Sequence, residues 1–230
     1  MATAEAAAGT EAEAAAEADH STVARVIRTR RSVRHYRPDP VPAPLLRELT
    51  ELALEAPSSF NLQARSIVVV AGEEGRQALT RATGGQPHPK EAPVMLVFVA
   101  ESAAWREDRG DIWETALKGG AWSGRFAAAS PEDARAFYED PGRRGLEREY
   151  AVKDAMIAAS FLMIAAQAAG LATSPMNGWD EDEVKKAIGA DGRDDVHIAL
   201  LMPLGYPAET RLHPGRRDHA LTCFDESYGR

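Results

Sequence analysis

The stretch from Glu149 to Ala169 constrains the fold most. From Ala155 onward almost every side of a helix drawn through it is apolar, and Gly170 stands where such a helix would stop. A helix that is apolar all round is buried, not laid on a surface. The longest apolar run, residues 155–169, falls short of the ~20 residues a membrane span needs, and it contains Gln167. The chain must therefore surround this segment, which predicts a central core helix.

The flanking patterns supply what surrounds it. A short helix is predicted from near Ser21, with Val23, Val26 and Ile27 on one face. Val41-Pro42-Ala43-Pro44 makes a turn and starts a helix, because proline suits the first helical turn. Leu45, Leu49 and Leu52 recur at helical spacing, Leu46 and Ala53 widen the stripe, and Pro57 stops it. Ser66 to Val70 is β-branched and predicts a strand buried on both faces. Glu73 to Arg81 reads as helix, Gly84-Gly85-Gln86-Pro87 as a break, and Pro93 to Ala100 as a second buried strand. Asp180 caps a helix running through Ile188, with Glu183 placed for a capping box. Val196 to Met202 gives a third strand, ending at Pro203-Leu204-Gly205, where Gly205 serves a turn.

Two terminal segments and one insertion lack that patterning. Residues 1–20, rich in Ala and Glu, have little apolar bulk and are expected to be a mobile tail. They lack the basic and strongly apolar regions of a signal peptide, so a cytoplasmic location is expected. Residues 206–230 are polar and have little independent means of folding. Residues 101–150 read as a partly helical excursion, a lid or packing element, with a helix starting at Ser130-Pro131-Glu132-Asp133. Trp105, Trp113 and Trp122 lie within it and are expected to pack, not to line a pocket. One domain over 21–230 accounts for the rest.

Charge is distributed unevenly. The chain carries a formal net charge of -8, yet Arg25 to Arg37 holds six arginines, with no Asp or Glu between Asp19 and Asp39. Packed like charges repel, and a phosphate-bearing ligand is the usual reason to assemble them, because guanidinium grips two phosphate oxygens at once. A solvated helix face is the plain alternative. The overall acidity argues against nonspecific nucleic-acid binding. A lone cysteine, Cys223, excludes an internal disulfide, and no His/Cys spacing suggests a metal.

Four segments in order resemble the nitroreductase family of FMN-dependent oxidoreductases. They are Arg30-Arg31-Ser32-Val33-Arg34, then Ala56-Pro57-Ser58-Ser59-Phe60-Asn61-Leu62-Gln63 before a strand. Gly170-Leu171-Ala172-Thr173 leading to Pro175-Met176-Asn177-Gly178 comes next, and Leu204-Gly205-Tyr206-Pro207 precedes a basic tail. The resemblance implies an α+β fold: a central, mainly antiparallel sheet flanked by helices, in an intertwined homodimer with FMN at the interface. It implies a tail that extends over the partner, and a second surface against which the core helix is buried.

By the same resemblance, Arg30 and Ser32 meet the FMN phosphate and ribityl chain, and Arg34 the pyrimidine edge. Arg31 faces the phosphate side or solvent. Arg216 and Arg217 match a phosphate-binding basic pair in the tail. Pro57, Ser58, Ser59 and Asn61 form another wall, while Gln63 either joins it or steadies its own loop. Pro175, Met176, Asn177 and Gly178 pass near the dimethylbenzene side and N5, where Gly178 allows close backbone approach. The implied activity is hydride transfer from NADH or NADPH through flavin N5 to small electrophiles such as nitroaromatics, quinones or activated alkenes, with ping-pong kinetics and no obligatory catalytic side chain. Alternatives are an oxygen-using flavin dehydrogenase acting on a biosynthetic intermediate, and a non-catalytic flavin-binding protein. Neither nucleic acid nor membrane is an expected partner.

Overall fold

A computed structural model describes residues 17–229. Helix α1 covers 17–29 of these, so the ordered chain reaches earlier than the expected start at Ser21. The rest of the predicted tail, 1–16, lies outside the described residues. After α1 come α2 (Ala43–Leu54), β1 (Arg65–Val70), α3 (Glu73–Ala82), α4 (Pro87–Glu91) and β2 (Val94–Glu101). Then follow α5 (Gly110–Lys118), α6 (Gly124–Arg143), α7 (Glu147–Ala168), β3 (Ala172–Thr173), α8 (Glu181–Ala187) and β4 (Val196–Gly205). The sheet order is β1-β2-β4-β3, and each neighbouring pair is antiparallel.

The two long inner strands have both faces covered. On one face Leu96, Phe98, Leu200, Met202 and Leu204 meet α7 and α2. On the other, Met95, Val97, Val99 and Leu201 pack with Leu79 of α3 and Val184 of α8. Period-two alternation sends neighbouring side chains to opposite layers. Helix α7 contributes Ala151, Ala155, Ala158, Ala159, Leu162 and Ala166 to the core, and these mostly small side chains let its axis lie close to the sheet. Its 22 residues have the length and apolarity of a membrane span, but here the helix packs on the sheet. Burial is one-sided within a single chain: Ile157 is 38% and Phe161 41% exposed.

Five expectations need correction. Strand β1 is not buried on both faces: it lies at the sheet edge, with Ser66 and Val69 exposed, because among the described residues only β2 pairs with it. Helix α6 starts not at Ser130 but at Gly124, where the Ser123 side chain accepts from Phe126 N at 3.3 Å. Inside it, Ser130 Oγ donates to Phe126 O at 2.8 Å, so the Ser-Pro pair sits mid-helix. Strand β4 runs on through Pro203 to Gly205, since a proline removes only one donor, while the Pro203 carbonyl still accepts from Ser174 N at 3.4 Å. Gly205 accordingly does not form a turn: a Cβ there would meet Pro93 Cδ at 2.6 Å, so the strand packs too closely for a side chain. The expected capping box on α8 is half formed: Asp180 Oδ1 accepts from Glu183 N at 3.0 Å, while the Glu183 carboxylate pairs with Lys186.

Helices α5 and α6 are a packing element. Trp113, Tyr138 and Leu62 form a small buried cluster flanked by Trp105, Trp122 and Phe60. The Phe60 and Phe137 rings lie 5.3 Å apart, which joins α6 to the loop preceding β1.

Candidate cofactor-binding site

The arginine-rich segment leaves α1 and lies along the sheet edge. Ser32 bridges to Thr173 of β3, and Val33 N donates to Thr173 O at 3.3 Å. The root of the C-terminal tail runs beside it: Arg37 N donates to Tyr206 O, and Ala208 N to His35 O, each at 2.9 Å. Glu209 fastens the two together. One carboxylate oxygen accepts from Arg34 N at 2.8 Å and His35 N at 3.2 Å; the other pairs with Arg211 at 2.9 Å. Burial pushes the Glu209 pKa up, but the Arg34 N–H and Arg211 outweigh it and hold the carboxyl below its ordinary range.

That fastening gathers five arginines. A cavity of about 320 Å³ is lined by Arg30, Arg31, Ser32, Arg34, Arg211 and Arg216, with Leu212 and Pro214. Arg31 spends Nη1 on the carbonyls of Arg28 and Arg30, both at 2.7 Å, and so caps the end of α1. Arg30 differs: its Nη1 is buried with no partner among the described residues. Burial, then the nearby charges of Arg216 and Arg31, lower its pKa. A buried, unpaired cationic donor among like charges is costly unless an anion completes it. The residues present thus fit a phosphate. Arg216 joins this cavity and Arg217 does not line it, which separates the two tail arginines. Arg211 was not singled out from sequence as a ligand; its place follows from Glu209, a contact across 175 residues.

Arg34 also lines a second cavity of about 360 Å³, with Gln86, Pro87, His88, Ser174, Pro175, Met176 and Asn177. Met176 N donates to Leu201 O at 2.9 Å, which pins this loop to β4. Gly178 follows at φ +105°, a conformation L side chains rarely adopt. Gln86 was read only as part of a helix break and His88 was not singled out; α4, opened by Pro87, instead brings both into the cavity wall. Burial, then the Arg34 charge, lowers the His88 pKa.

The Pro57–Gln63 loop lies apart from both. Pro57, Asn61 and Gln63 line a third cavity of about 410 Å³ with Glu51, Leu54, Glu55 and Ala56, none of which borders the other two. Ser58 accepts from Gln63 N at 2.9 Å through Oγ, so its hydroxyl serves the loop itself. Gln63 Nε2 reaches Asn61 Oδ1 at 3.5 Å. Ser59 N donates to Asp154 of α7 at 3.4 Å. Among the described residues no group of His, Cys, Asp or Glu could hold a metal ion.

A model of the nitroreductase family matches residues 27–206, which include α1's end, the whole sheet and all three cavity walls apart from the tail. The chain belongs to the nitroreductase family. It is 38% identical over 182 residues to a Thermus thermophilus protein named NADH dehydrogenase, covering 78% of this chain and 84% of that one. A shorter match, 37% over 71 residues, is to the Bacillus subtilis FMN reductase [NAD(P)H]; it covers 31% of this chain and 28% of the relative. A solved nitroreductase-fold structure from Exiguobacterium sibiricum, in complex with FMN, superposes with a TM-score of 0.76. At 22% identity, covering 83% of this chain and 90% of that one, it establishes likeness of fold. Membership in the family agrees with the α+β architecture and the antiparallel sheet derived above.

Proposed function

We propose that this nitroreductase-family chain is an FMN-dependent NAD(P)H oxidoreductase acting on small electrophiles. The observation that carries the reading is the buried, unpartnered Nη1 of Arg30 in a cavity lined by five arginines. Arg30, Arg216 and Arg211 would hold the phosphate, with Ser32 at the sugar chain. Arg34, which borders both cavities, would carry positive charge to the pyrimidine edge, where such charge favours the reduced ring. Pro175, Met176, Asn177 and Gly178 would support the ring from the β4 side. When bound, FMN supplies hydride acceptance and release at N5.

Pro57 and Asn61 line a separate cavity within one chain, and Ser58 and Ser59 belong to the same loop. Two copies would bring this loop against the arginine wall of a partner, which supports the homodimer. The half-exposed Ile157 and Phe161 on α7 provide apolar area for that contact. The exposed tail, with Leu212 and Tyr228 in solvent, would extend over the second copy. A cytoplasmic location is part of this reading.

Donor and acceptor would occupy one position in turn, which gives ping-pong kinetics. The chain's residues exclude water and orient the partners, and no side-chain acid is required where solvent can deliver protons. Nitroaromatics, quinones and activated alkenes are the acceptors proposed. The test is the absorption spectrum of the purified protein, followed by anaerobic mixing with NADH and then NADPH. Fast bleaching of a flavin band supports the proposal. A colourless protein that takes up no FMN refutes it, and bound flavin reduced no faster than free FMN refutes the enzymatic part.

A further inference from the structure

The loop from Ser58 to Gln63 follows an unusual path. Phe60, Asn61 and Gln63, none of them glycine, have φ of 51°, 51° and 50°. L side chains adopt this region at a cost, and the path persists only where the surroundings hold it. Part of the hold is local: Asn61 N donates to Ser58 O at 3.1 Å and Leu62 N to Ser59 O at 2.9 Å. The rest comes from two charged side chains beneath.

Asp154, 5% exposed in the middle of α7, accepts from Ser59 N through Oδ1. Arg65, 6% exposed at the start of β1, donates through Nη2 to the carbonyl of Leu54 at 3.0 Å and to that of Ala56. Asp154 thus ties the loop's entry to the core helix. Arg65 ties the end of α2, which feeds the loop, to the strand that leaves it. Three buried atoms of this pair have no partner among the described residues: Asp154 Oδ2 and Arg65 Nε and Nη1. The two side chains influence one another's charge without direct ion-pair contact among the described residues. Orphan donors on one side and an orphan acceptor on the other make a polar site suited to a bound water.

We propose that Asp154 and Arg65 are positioning residues for the cofactor wall: a water-bridged buried pair that keeps the Ser58–Gln63 loop in its left-handed path. The proposal rests on the flavin reading above for its functional consequence. Neither residue touches the cofactor. Their effect is transmitted through Ser59 and the end of α2.

The experiment compares Asp154→Leu, Arg65→Met and the double variant Asp154→Leu/Arg65→Met in the full chain. Urea midpoint and FMN Kd, from flavin fluorescence titration of apoprotein, are read for each. Either single change strands a buried charge or donor, so both stability and affinity fall, the latter roughly 10- to 100-fold for one bond to a charged group. The double variant replaces the pair with apolar bulk, which restores stability. Ser59 N has still lost its acceptor, so affinity stays low. A merely structural role predicts that affinity recovers with stability, and that result overturns the proposal. Hydrogen exchange at the amides of residues 61–63 in apoprotein supplies a measurement independent of flavin. These amides exchange faster in the double variant than in the parent, and unchanged protection overturns the brace. Wild-type protein that binds no FMN would sink the flavin reading and leave the exchange result to decide this one.

Discussion

Replacing Arg30 by alanine separates recognition of the phosphate from recognition of the ring. In the free protein Arg30 is a liability: its Nη1 is buried without a partner, and Arg216 and Arg31 oppose its charge. Its removal relieves that repulsion, so apoprotein stability is kept or slightly raised. With FMN present the balance reverses. One hydrogen bond between charged groups contributes about 1.5–3 kcal/mol, which corresponds to roughly 10- to 100-fold in Kd. The relieved repulsion offsets less than this, because solvent screens the more exposed Arg211 and Arg216. The assay is fluorescence titration of apoprotein with FMN and, in parallel, with riboflavin, which lacks the phosphate. Affinity for FMN should fall in Arg30→Ala while affinity for riboflavin stays near that of the parent. Equal losses for both ligands, or an unchanged FMN affinity, would refute the assignment of Arg30 to the phosphate. Arg31→Ala is the control: its Nη1 already serves the Arg28 and Arg30 carbonyls, so the variant loses a helix cap and little selective affinity.

Other consequences can be checked separately. Gly205→Ala places a Cβ 2.6 Å from Pro93 Cδ and 2.9 Å from its Cγ, and such overpacking should cost about 1–3 kcal/mol in urea unfolding; an unchanged midpoint would mean that β4 does not approach Pro93 this closely. Burial lowers the pKa of His88 and of His197 below the usual 6.5. As pH drops through that value the unfolded chain takes up protons first, so stability declines from there and levels off below the depressed folded-state values. His88→Gln should flatten part of this decline in thermal melts taken across the range, and an identical slope would remove His88 from the cause. On the dimer reading, Ile157→Lys buries a charge between copies, so light scattering should report monomers with poor FMN retention; a variant that remains dimeric puts the interface elsewhere.

How much of this was readable in the chain depends on whether a contact is local. The core helix, the three longer strands and the Asp180 cap of α8 follow from spacing within a few residues, and the structure reproduces them; the two-residue β3 was not anticipated. The apolar run of β1 was misread because β-branched residues record that a face is suited to cover, not which chain covers it. With β2 as its one neighbour the strand leaves Val69 exposed. Ser130-Pro131 has the composition of a helix start, yet Ser123 caps the helix seven residues earlier, and composition cannot rank two competing caps. The site divides in the same way. Arg30, Ser32 and Arg34 were legible because they fall within one short stretch, whereas Arg216 and Arg217 are equivalent by spacing.

What distinguishes the two tail arginines is the path of the tail, and that path is set by contacts no local pattern encodes. Tyr36 bridges to Pro207, and Glu209 accepts from two backbone donors of the arginine loop. Glu209 reads as one more solvated acid in an acidic chain until the fold places it. Removing its carboxylate should therefore act on binding through geometry. Glu209→Ala frees the Arg34 and His35 N–H groups and releases Arg211, so FMN affinity should fall even though a negative charge has left a phosphate site. Simple electrostatics predicts the opposite sign. Titration of Glu209→Ala apoprotein with FMN decides between them: tighter binding would mean that the carboxylate only repels the phosphate, and weaker binding that it builds the cavity.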